Sequence, residues 1–419
     1  MRLIRLKNTI KRGITLKKIT VETQINETIH YALQQNCIPI ISSLVITNTS
    51  KEIYTDITIK ISFQPEFAVP YVVTIKHLKP SEPVELSPIR IVPSMEYLVS
   101  LTEKIEGKLS IEVKEAQNCI WNETHSVTLL AYDQWTGINH LPEMIAAYIT
   151  PFHPKVNDIA MNATKYLKAW GNAEDFTGYQ TKNPDIVEEQ MKAVYTALQD
   201  LELELEVPTV SYETNGQSLH LPQMVIEKGN GTALELSLLY VSCLEAIGLH
   251  PILVFLRGHA FVGCHMEEES LTECVVEDLT VLTKSDEGKN NILFIECTDI
   301  VKDHCVDFMH AKKDAKELIS NNEMFLMAID IKSCRASGIC PLPLRIQEDE
   351  KYVTVDVITS KDTDMSEDFL GYDYSKSEDL DETSGQAKLR LWERKLLDLS
   401  LRNTLLNFRK TKTTVQLMT

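Results

Sequence analysis

Long apolar runs are missing from this sequence, in which no stretch of 18 or more apolar residues occurs. A helix that crosses a membrane needs about 20 such residues, so we expect no membrane-spanning segment. The basic N-terminus also lacks the apolar core of a signal peptide. The sequence therefore predicts a soluble, cytoplasmic protein.

Cysteine pairs at disulfide or metal spacing are missing as well. The nine cysteines are an odd number spread over 419 residues, and no two of them are spaced CxxC. Disulfide frameworks belong to oxidising compartments, and zinc sites use closely spaced ligands. His304, Cys305 and His310 have no fourth partner at ligand spacing. We predict reduced thiols, no metal site and no cofactor.

Positive charge is scarce, since 42 Lys and Arg face 60 Asp and Glu, for a net charge of -18. Phosphate binding needs a basic footprint, so the chain as a whole is not predicted to bind nucleic acid. No GxxxxGK[ST] phosphate loop occurs either, so ATP binding is not assigned. The charge is uneven: residues 1–18 and 386–419 are basic, and residues 347–385 are acidic.

Short runs of alternating apolar and polar residues fill positions 19–137. Ile38–Ile46 and Ile57–Phe63 are examples, and breakers such as Asn48-Thr49-Ser50 separate them. Several short strands at regular spacing are typical of an all-β sandwich. We predict an Ig-like β-sandwich domain at 19–137, after a basic N-terminal segment at 1–18.

Helical spacing replaces this alternation in residues 138–345. Val187–Leu201 predicts a helix with one buried face, and a second helix follows Gly231 and ends at Gly248. Three apolar runs then predict strands at Ile252–Arg257, Ala260–Met266 and Ile292–Ile295. We predict a separate α+β domain here.

Residues 346–386 are polar and acidic, which predicts a linker that cannot bury a core. Residues 387–419 carry Leu and Trp at helical spacing and predict an amphipathic helix that begins a helical domain. Five basic residues of this segment suit either a solvated face or contacts with phosphates: Arg394, Lys395, Arg402, Arg409 and Lys410.

The turn at Gly231-Thr232 has the setting of an activated nucleophile, but the residue after it is Ala233. A helix start lowers the pKa of a thiol placed there and can stabilise an oxyanion. A general base should follow on a strand, with a third group that orients its ring. His259 fits the base and Glu296 the third group, with Asp299 as the alternative acid.

Other polar residues have structural alternatives. Gln217 suits an oxyanion donor or a loop cap, and His259 itself could be a core histidine bonded to a backbone carbonyl. Cys243 falls on a buried helix face and is interpreted as packing. Cys264 and His265 point to opposite faces of a strand, so they are not expected to share a metal ion.

These residues resemble the transglutaminase-like superfamily, whose order along the chain is Cys, His, then Asp or Glu. The resemblance covers about residues 140–345. It implies a papain-like fold with Ala233 at the nucleophile position, His259 as base and Glu296 as orienting acid. Because the family has Cys at the first place, this chain should not do cysteine chemistry. The segments that carry the resemblance are Gly231–Gly248, Gly258–Gly263 and Glu296–Thr298.

The flanks resemble a branch of that superfamily found in large bacterial proteins. In that branch a β-sandwich comes first, and a helical domain and a superfamily 1 helicase motor follow, often with a nuclease. The resemblance implies the N-terminal part of a helicase-type protein, used in antiphage defence. The matching segments are Gly178-Tyr179-Gln180, Gly216-Gln217, Ala328-Ile329-Asp330, Gly338–Pro343 and Leu391–Arg409.

Three functions are compatible with this resemblance. In the first, a non-catalytic domain binds a peptide or protein partner in the old cleft and regulates a helicase motor in cis. In the second, Ala233 replaces the Cys of a parent cysteine protease or acyl-transfer enzyme. In the third, the chain is a structural platform for nucleic acid, which it would contact only through the full-length protein.

Overall fold

The computed structural model describes residues 19–87, 89–171, 175–207, 217–283, 292–320, 323–348 and 351–355. The chain divides into two compact units. The first holds the described residues up to Thr150 with Leu205–Leu238 and Cys340–Val355, and the second holds Pro151–Glu204 and Leu239–Ile339. The segments predicted at 1–18 and 387–419 lie outside the described residues.

The first unit contains a three-stranded sheet and a five-stranded sheet, ordered β1-β3-β6 and β2-β8-β7-β4-β5. Neighbouring strands are antiparallel except β2 and β8. Successive side chains of a strand point to opposite faces, so every second residue of β4 faces the core. Ile57, Ile59 and Ile61 are accordingly fully buried. The strands are β1 (Ile19–Ile25), β2 (Thr28–Ile29), β3 (Ile41–Asn48), β4 (Tyr54–Gln64), β5 (Tyr71–Leu78), β6 (Pro83–Leu86), β7 (Ile105–Glu115) and β8 (Asn118–Leu129).

Short helices join these strands and extend the first unit. α1 (Tyr31–Gln35) begins after His30, and α2 (Met95–Ser100) begins after Ser94, whose hydroxyl accepts from Tyr97 N–H. A 3₁₀ helix follows at Pro142–Tyr148. Further along the chain, β9 (Glu204–Leu205) pairs with β10 (Asn230–Gly231), and α5 (Pro222–Lys228) lies between them in sequence.

The second unit is built on a five-stranded antiparallel sheet ordered β13-β15-β11-β12-β14. All six residues of the central strand β11 are buried, because both of its faces are covered. The strands are β11 (Pro251–Leu256), β12 (His259–His265), β13 (Val275–Val276), β14 (Ile292–Ile295) and β15 (Phe325–Asp330). The helices are α3 (Pro154–Ala169), α4 (Pro184–Gln199), α7 (Leu279–Thr283), α8 (Phe308–Ile319) and α9 (Ile331–Ala336), while α6 (Ala233–Ala246) contains the division between the units.

The chain from Leu344 to Val355 departs from the predicted acidic linker at 346–386. Strands β16 (Leu344–Glu348) and β17 (Lys351–Val355) form a hairpin that belongs to the first unit. The Arg345 guanidinium lies 5.1 Å from the Tyr132 ring centre and 3.8 Å from that of Tyr352. Tyr352, inside the acidic stretch, thus contacts Arg345 within the hairpin, and residues 356–386 lie outside the described residues.

The coarse fold class is confirmed, since the chain is mixed α+β with two units. The helix predicted at Val187–Leu201 is α4, and the strand predicted at Ile292–Ile295 is β14. Among the described residues, no helix combines the length and the apolar character needed to cross a membrane.

Candidate functional site

A tight turn between β11 and β12 presents His259. Leu256 pairs with His259 across the turn, and Gly258 between them has a φ of +74°, a left-handed conformation that favours glycine. Arg257 N–H donates to the Met324 carbonyl at 2.9 Å and fixes the turn from outside. The His259 side chain remains 26% exposed, so its ring stands at the rim of the sheet rather than in the core.

Glu296 follows β14, the strand that pairs with β12. Its backbone N–H donates to the Ala311 carbonyl at 3.1 Å, and its side chain is only 5% exposed. The Oε1 atom accepts from the Thr298 backbone N–H at 2.9 Å and from the Thr298 hydroxyl at 2.7 Å. Oε2 accepts from His259 Nε2 at 2.8 Å. One carboxylate oxygen thus fixes Glu296, and the other holds the imidazole.

The His259–Glu296 contact decides the tautomer of the ring. An ionised carboxylate only accepts hydrogen bonds, so Nε2 carries the proton and Nδ1 of the neutral ring carries the lone pair. An imidazole held by a carboxylate at one ring nitrogen is the arrangement of a general base oriented by an acid.

Asp299, the alternative acid, contacts a different histidine. Its Oδ1 accepts from His304 Nδ1 at 3.0 Å, and the His304 side chain is 65% exposed. Burial, followed by the nearby charges of Glu296 and Asp314, raises the pKa of Asp299 to about 6, against the opposite effect of His304. Of the two acids named from the sequence, Glu296 is therefore the one bonded to His259.

Ala233 is the first residue of α6, as the sequence predicts. Thr232 and Glu235 cap this helix reciprocally: Thr232 N–H donates to Glu235 Oε2 at 2.8 Å, and Glu235 N–H donates to Thr232 Oγ1 at 3.4 Å. Ala233 is partly exposed, whereas residues 234–244 are all buried. Ala233 belongs to the first unit and His259 to the second, and their predicted pairing stays a prediction.

Gln217 lies in the first unit, where its backbone carbonyl accepts from Trp135 N–H at 3.0 Å. The residue is 7% exposed, and its side-chain Oε1 is buried without a hydrogen-bond partner among the described residues. Its role as an oxyanion donor stays a prediction.

A second buried histidine–acid pair escaped the sequence analysis. His265 Nε2 lies 2.9 Å from Asp330 Oδ2, and both side chains are almost fully buried. Asp330 also accepts from the backbone N–H groups of Leu271 and Ser333, the latter as N-cap of α9. The spacing Asp330-x-x-Ser333 before an apolar helix could have identified the cap. Because both side chains are almost fully buried, we interpret this pair as structural.

Glu206, His220 and Glu235 form a group of the first unit that could hold a metal ion. Their ligand atoms all lie within 4.8 Å of one another. However, Lys228 Nζ lies 2.7 Å from His220 Nε2. Because an ammonium only donates, this contact places the ring proton on Nδ1, the atom that faces Glu235 at 3.7 Å. In this arrangement the ring offers Glu235 a proton rather than a ligand lone pair.

Cys243 and Cys264, the two cysteines considered in the sequence analysis, both lie in the protein interior. Cys243 is fully buried in α6, and burial raises its pKa. Cys264 is also fully buried, 3.9 Å from the Tyr179 hydroxyl.

No protein-family model matches the chain, and a search of curated proteins finds no match. The functional assignment therefore depends on the geometry of the described residues.

Proposed function

We propose that this chain is the N-terminal regulatory or sensing region of a helicase-type protein, with a transglutaminase-like domain that lacks its cysteine nucleophile. In this proposal the domain binds a peptide or protein partner and passes the signal to a helicase motor in cis. The observation that supports it is the 2.8 Å contact between His259 Nε2 and Glu296 Oε2.

A structural histidine in the same chain shows why this contact is informative. His30 is 2% exposed, and its Nε2 is bonded to the Ala131 carbonyl at 2.8 Å. A backbone carbonyl therefore satisfies a buried ring without burying a charge. Glu296 instead buries a carboxylate to hold a ring that remains partly exposed. Since burying a carboxylate is costly, this arrangement favours a functional role over packing.

The finer fold belongs to the same proposal. We assign the two sheets within residues 19–129 to an Ig-like sandwich, and the helices and sheet around His259 to a papain-like domain. The order in the chain supports this: a helix start at Ala233, a base on β12, and an acid directly after β14.

The side chain of Ala233 carries no nucleophile, which favours binding over catalysis. Nucleic acid would be contacted through the full-length protein only, since the net charge of this chain is -18. The proposed cellular role, defence against phage, follows from the resemblance of the flanking segments.

The test restores the missing nucleophile. Ala233→Cys should release a burst of p-nitrophenolate from p-nitrophenyl acetate, because a thiolate attacks the ester carbonyl, expels p-nitrophenolate and keeps the acetyl group as a thioester. Ala233→Cys combined with His259→Ala should acylate about 10²–10⁴-fold more slowly at pH 7, as expected when a positioned base is lost.

The unsubstituted protein, which carries the same nine native cysteines, is the control for background acylation elsewhere in the chain. Peptide mapping locates the acetyl group at position 233. Equal acylation rates at that position with and without His259 would refute a transglutaminase-derived site.

A further inference from the structure

Two cysteines of the second unit approach each other where strand β13 meets helix α9. The Cys274 carbonyl accepts from Asp330 N–H at 3.0 Å, and its sulfur lies 3.2 Å from the Ser337 hydroxyl. Ser337 follows Cys334 by three residues at the end of α9, so both occupy the same helix face. The Cys274 sulfur therefore lies beside the Cys334 side chain.

Contact with the Cys274 thiol, followed by burial, raises the pKa of Cys334 well above its usual range. Cys274 is the more accessible thiol of the pair, since it is partly exposed whereas Cys334 is fully buried.

We propose that Cys274 and Cys334 form a peroxide-sensitive dithiol that closes into a reversible disulfide. In the first step the Cys274 thiolate attacks hydrogen peroxide, forms a sulfenic acid and releases hydroxide. In the second step the Cys334 sulfur attacks the Cys274 sulfur, the S–OH bond breaks, and the hydroxyl leaves as water with the Cys334 proton. The two sulfurs lose two electrons in total, and the peroxide is reduced.

The position of the pair gives the disulfide a structural consequence. Strand β13 is the edge of its sheet and pairs with β15 through Val275 and Val276 alone. A Cys274–Cys334 bond would tether this two-residue edge strand to α9. Since Asp330, the partner of His265, is the N-cap of α9, oxidation should raise the thermal stability of the second unit.

Other cysteines of this unit serve as internal references. Burial raises the pKa of Cys264 to about 12 and also raises that of Cys243. Thiols react as thiolates, so these two should be oxidised slowly. Cys305 is exposed and should be alkylated quickly.

To test this proposal, the full chain is treated with hydrogen peroxide and the remaining thiols are alkylated. Its peptides are then mapped by mass spectrometry without reduction. We expect a Cys274–Cys334 linked peptide that dithiothreitol reverses, together with a raised melting temperature. In Cys334→Ser, dimedone should trap a sulfenic acid on Cys274, and the melting temperature should no longer rise on oxidation. Cys305→Ser is the matched control and should retain the linked peptide.

Two results would overturn the proposal. One is peroxide treatment that leaves Cys274 and Cys334 alkylatable after Cys305 has been consumed. The other is a linked peptide that joins Cys274 to a different cysteine. Because the unsubstituted protein yields the decisive peptide map, the outcome does not depend on how well a variant folds.

Discussion

At the residue scale, two histidines of strand β12 differ in burial, and this difference distinguishes a structural ring from a candidate functional one. His259 and His265 both donate to buried carboxylates, at 2.8 and 2.9 Å. The His265 side chain is 4% exposed, whereas that of His259 is 26% exposed. Because the His259 ring is both oriented and partly exposed, a binding partner can reach it. The functional proposal is therefore placed on His259.

Asp299 provides a pH-dependent prediction at the same scale. Its pKa is raised to about 6 in the folded protein, above about 3.9 in an unfolded chain. Between these values the folded state binds more protons, so its contribution to the free energy of unfolding falls as pH rises from about 4 to about 6. Asp299→Asn should remove this decline, which is at most about 3 kcal/mol.

The measurement is urea unfolding of both proteins across that pH range. The difference in unfolding free energy between them should change with pH and level off above about pH 6, where Asp299 is ionised in both states. Parallel curves would show that Asp299 is not buried as described.

At the element scale, the pairing of β12 with β14 brings His259 and Glu296 together. Gly263 of β12 lies opposite Phe294 of β14, and its lack of a side chain allows the two strands to pair. A Cβ at Gly263 would meet two ring atoms of Phe294 at 3.0 and 3.1 Å and Ile292 Cγ2 at 3.2 Å. Gly263→Ala should therefore destabilise the protein by about 1–3 kcal/mol through overpacking.

A double-mutant cycle identifies the cause of that loss. Phe294→Leu removes the ring atoms nearest to the added methyl group, so Gly263→Ala should cost less in its presence, measured by denaturant unfolding. An unchanged cost would mean that the clash with Phe294 does not explain the requirement for glycine.

Periodicity predicted the long elements and failed for the short ones. The apolar spacing of Val187–Leu201 and the run Ile292–Ile295 were sufficient to predict α4 and β14. Helices α1 and α2 have five and six residues, too few for a helical period to be recognised. For α2 the Ser94 cap is the better signal, because Ser is a preferred N-cap and its hydroxyl accepts from the Tyr97 N–H of the first turn.

The sequence predicts the order of the candidate site residues along the chain. It does not predict which acid is hydrogen-bonded to which histidine. The helix start and the strands identified Ala233, His259 and two possible acids. The choice between Glu296 and Asp299 depends on how the chain turns after β14, where Thr298 binds Glu296 and His304 binds Asp299. Such tertiary contacts leave no periodic signal in a single sequence.

At the scale of the whole molecule, the chain returns to the first unit after completing the second. Residues Cys340–Val355 belong to the same unit as the N-terminal β-sheets, and the Tyr132 hydroxyl donates to the Pro343 carbonyl at 2.7 Å. The stable core should therefore extend to the end of β17, into the acidic linker predicted at 346–386. The hairpin was not predicted because the residues around Glu348 are acidic, a composition typical of a linker.

Limited trypsin digestion measures this boundary. Cleavage after Lys351 should be slow, and Arg345→Ala should accelerate it about two- to fivefold, because the stacking of Arg345 on Tyr132 and Tyr352 is worth about 0.5–1 kcal/mol. Lys76→Ala, which removes an exposed positive charge from β5, is the control and should leave the rate unchanged. Rapid cleavage after Lys351 in the unsubstituted protein would contradict a docked hairpin.

The central proposal is that Ala233 and His259 occupy the nucleophile and base positions of a transglutaminase-like domain. The most direct measurement is the pH dependence of iodoacetamide labelling at position 233 in Ala233→Cys, read by peptide mass spectrometry, with and without His259→Ala. The helix start and the imidazole both favour a thiolate, so the labelling pKa should lie more than about one unit below the usual 8.5 and return towards it without His259. A labelling pKa near 8.5 in both proteins would contradict the account.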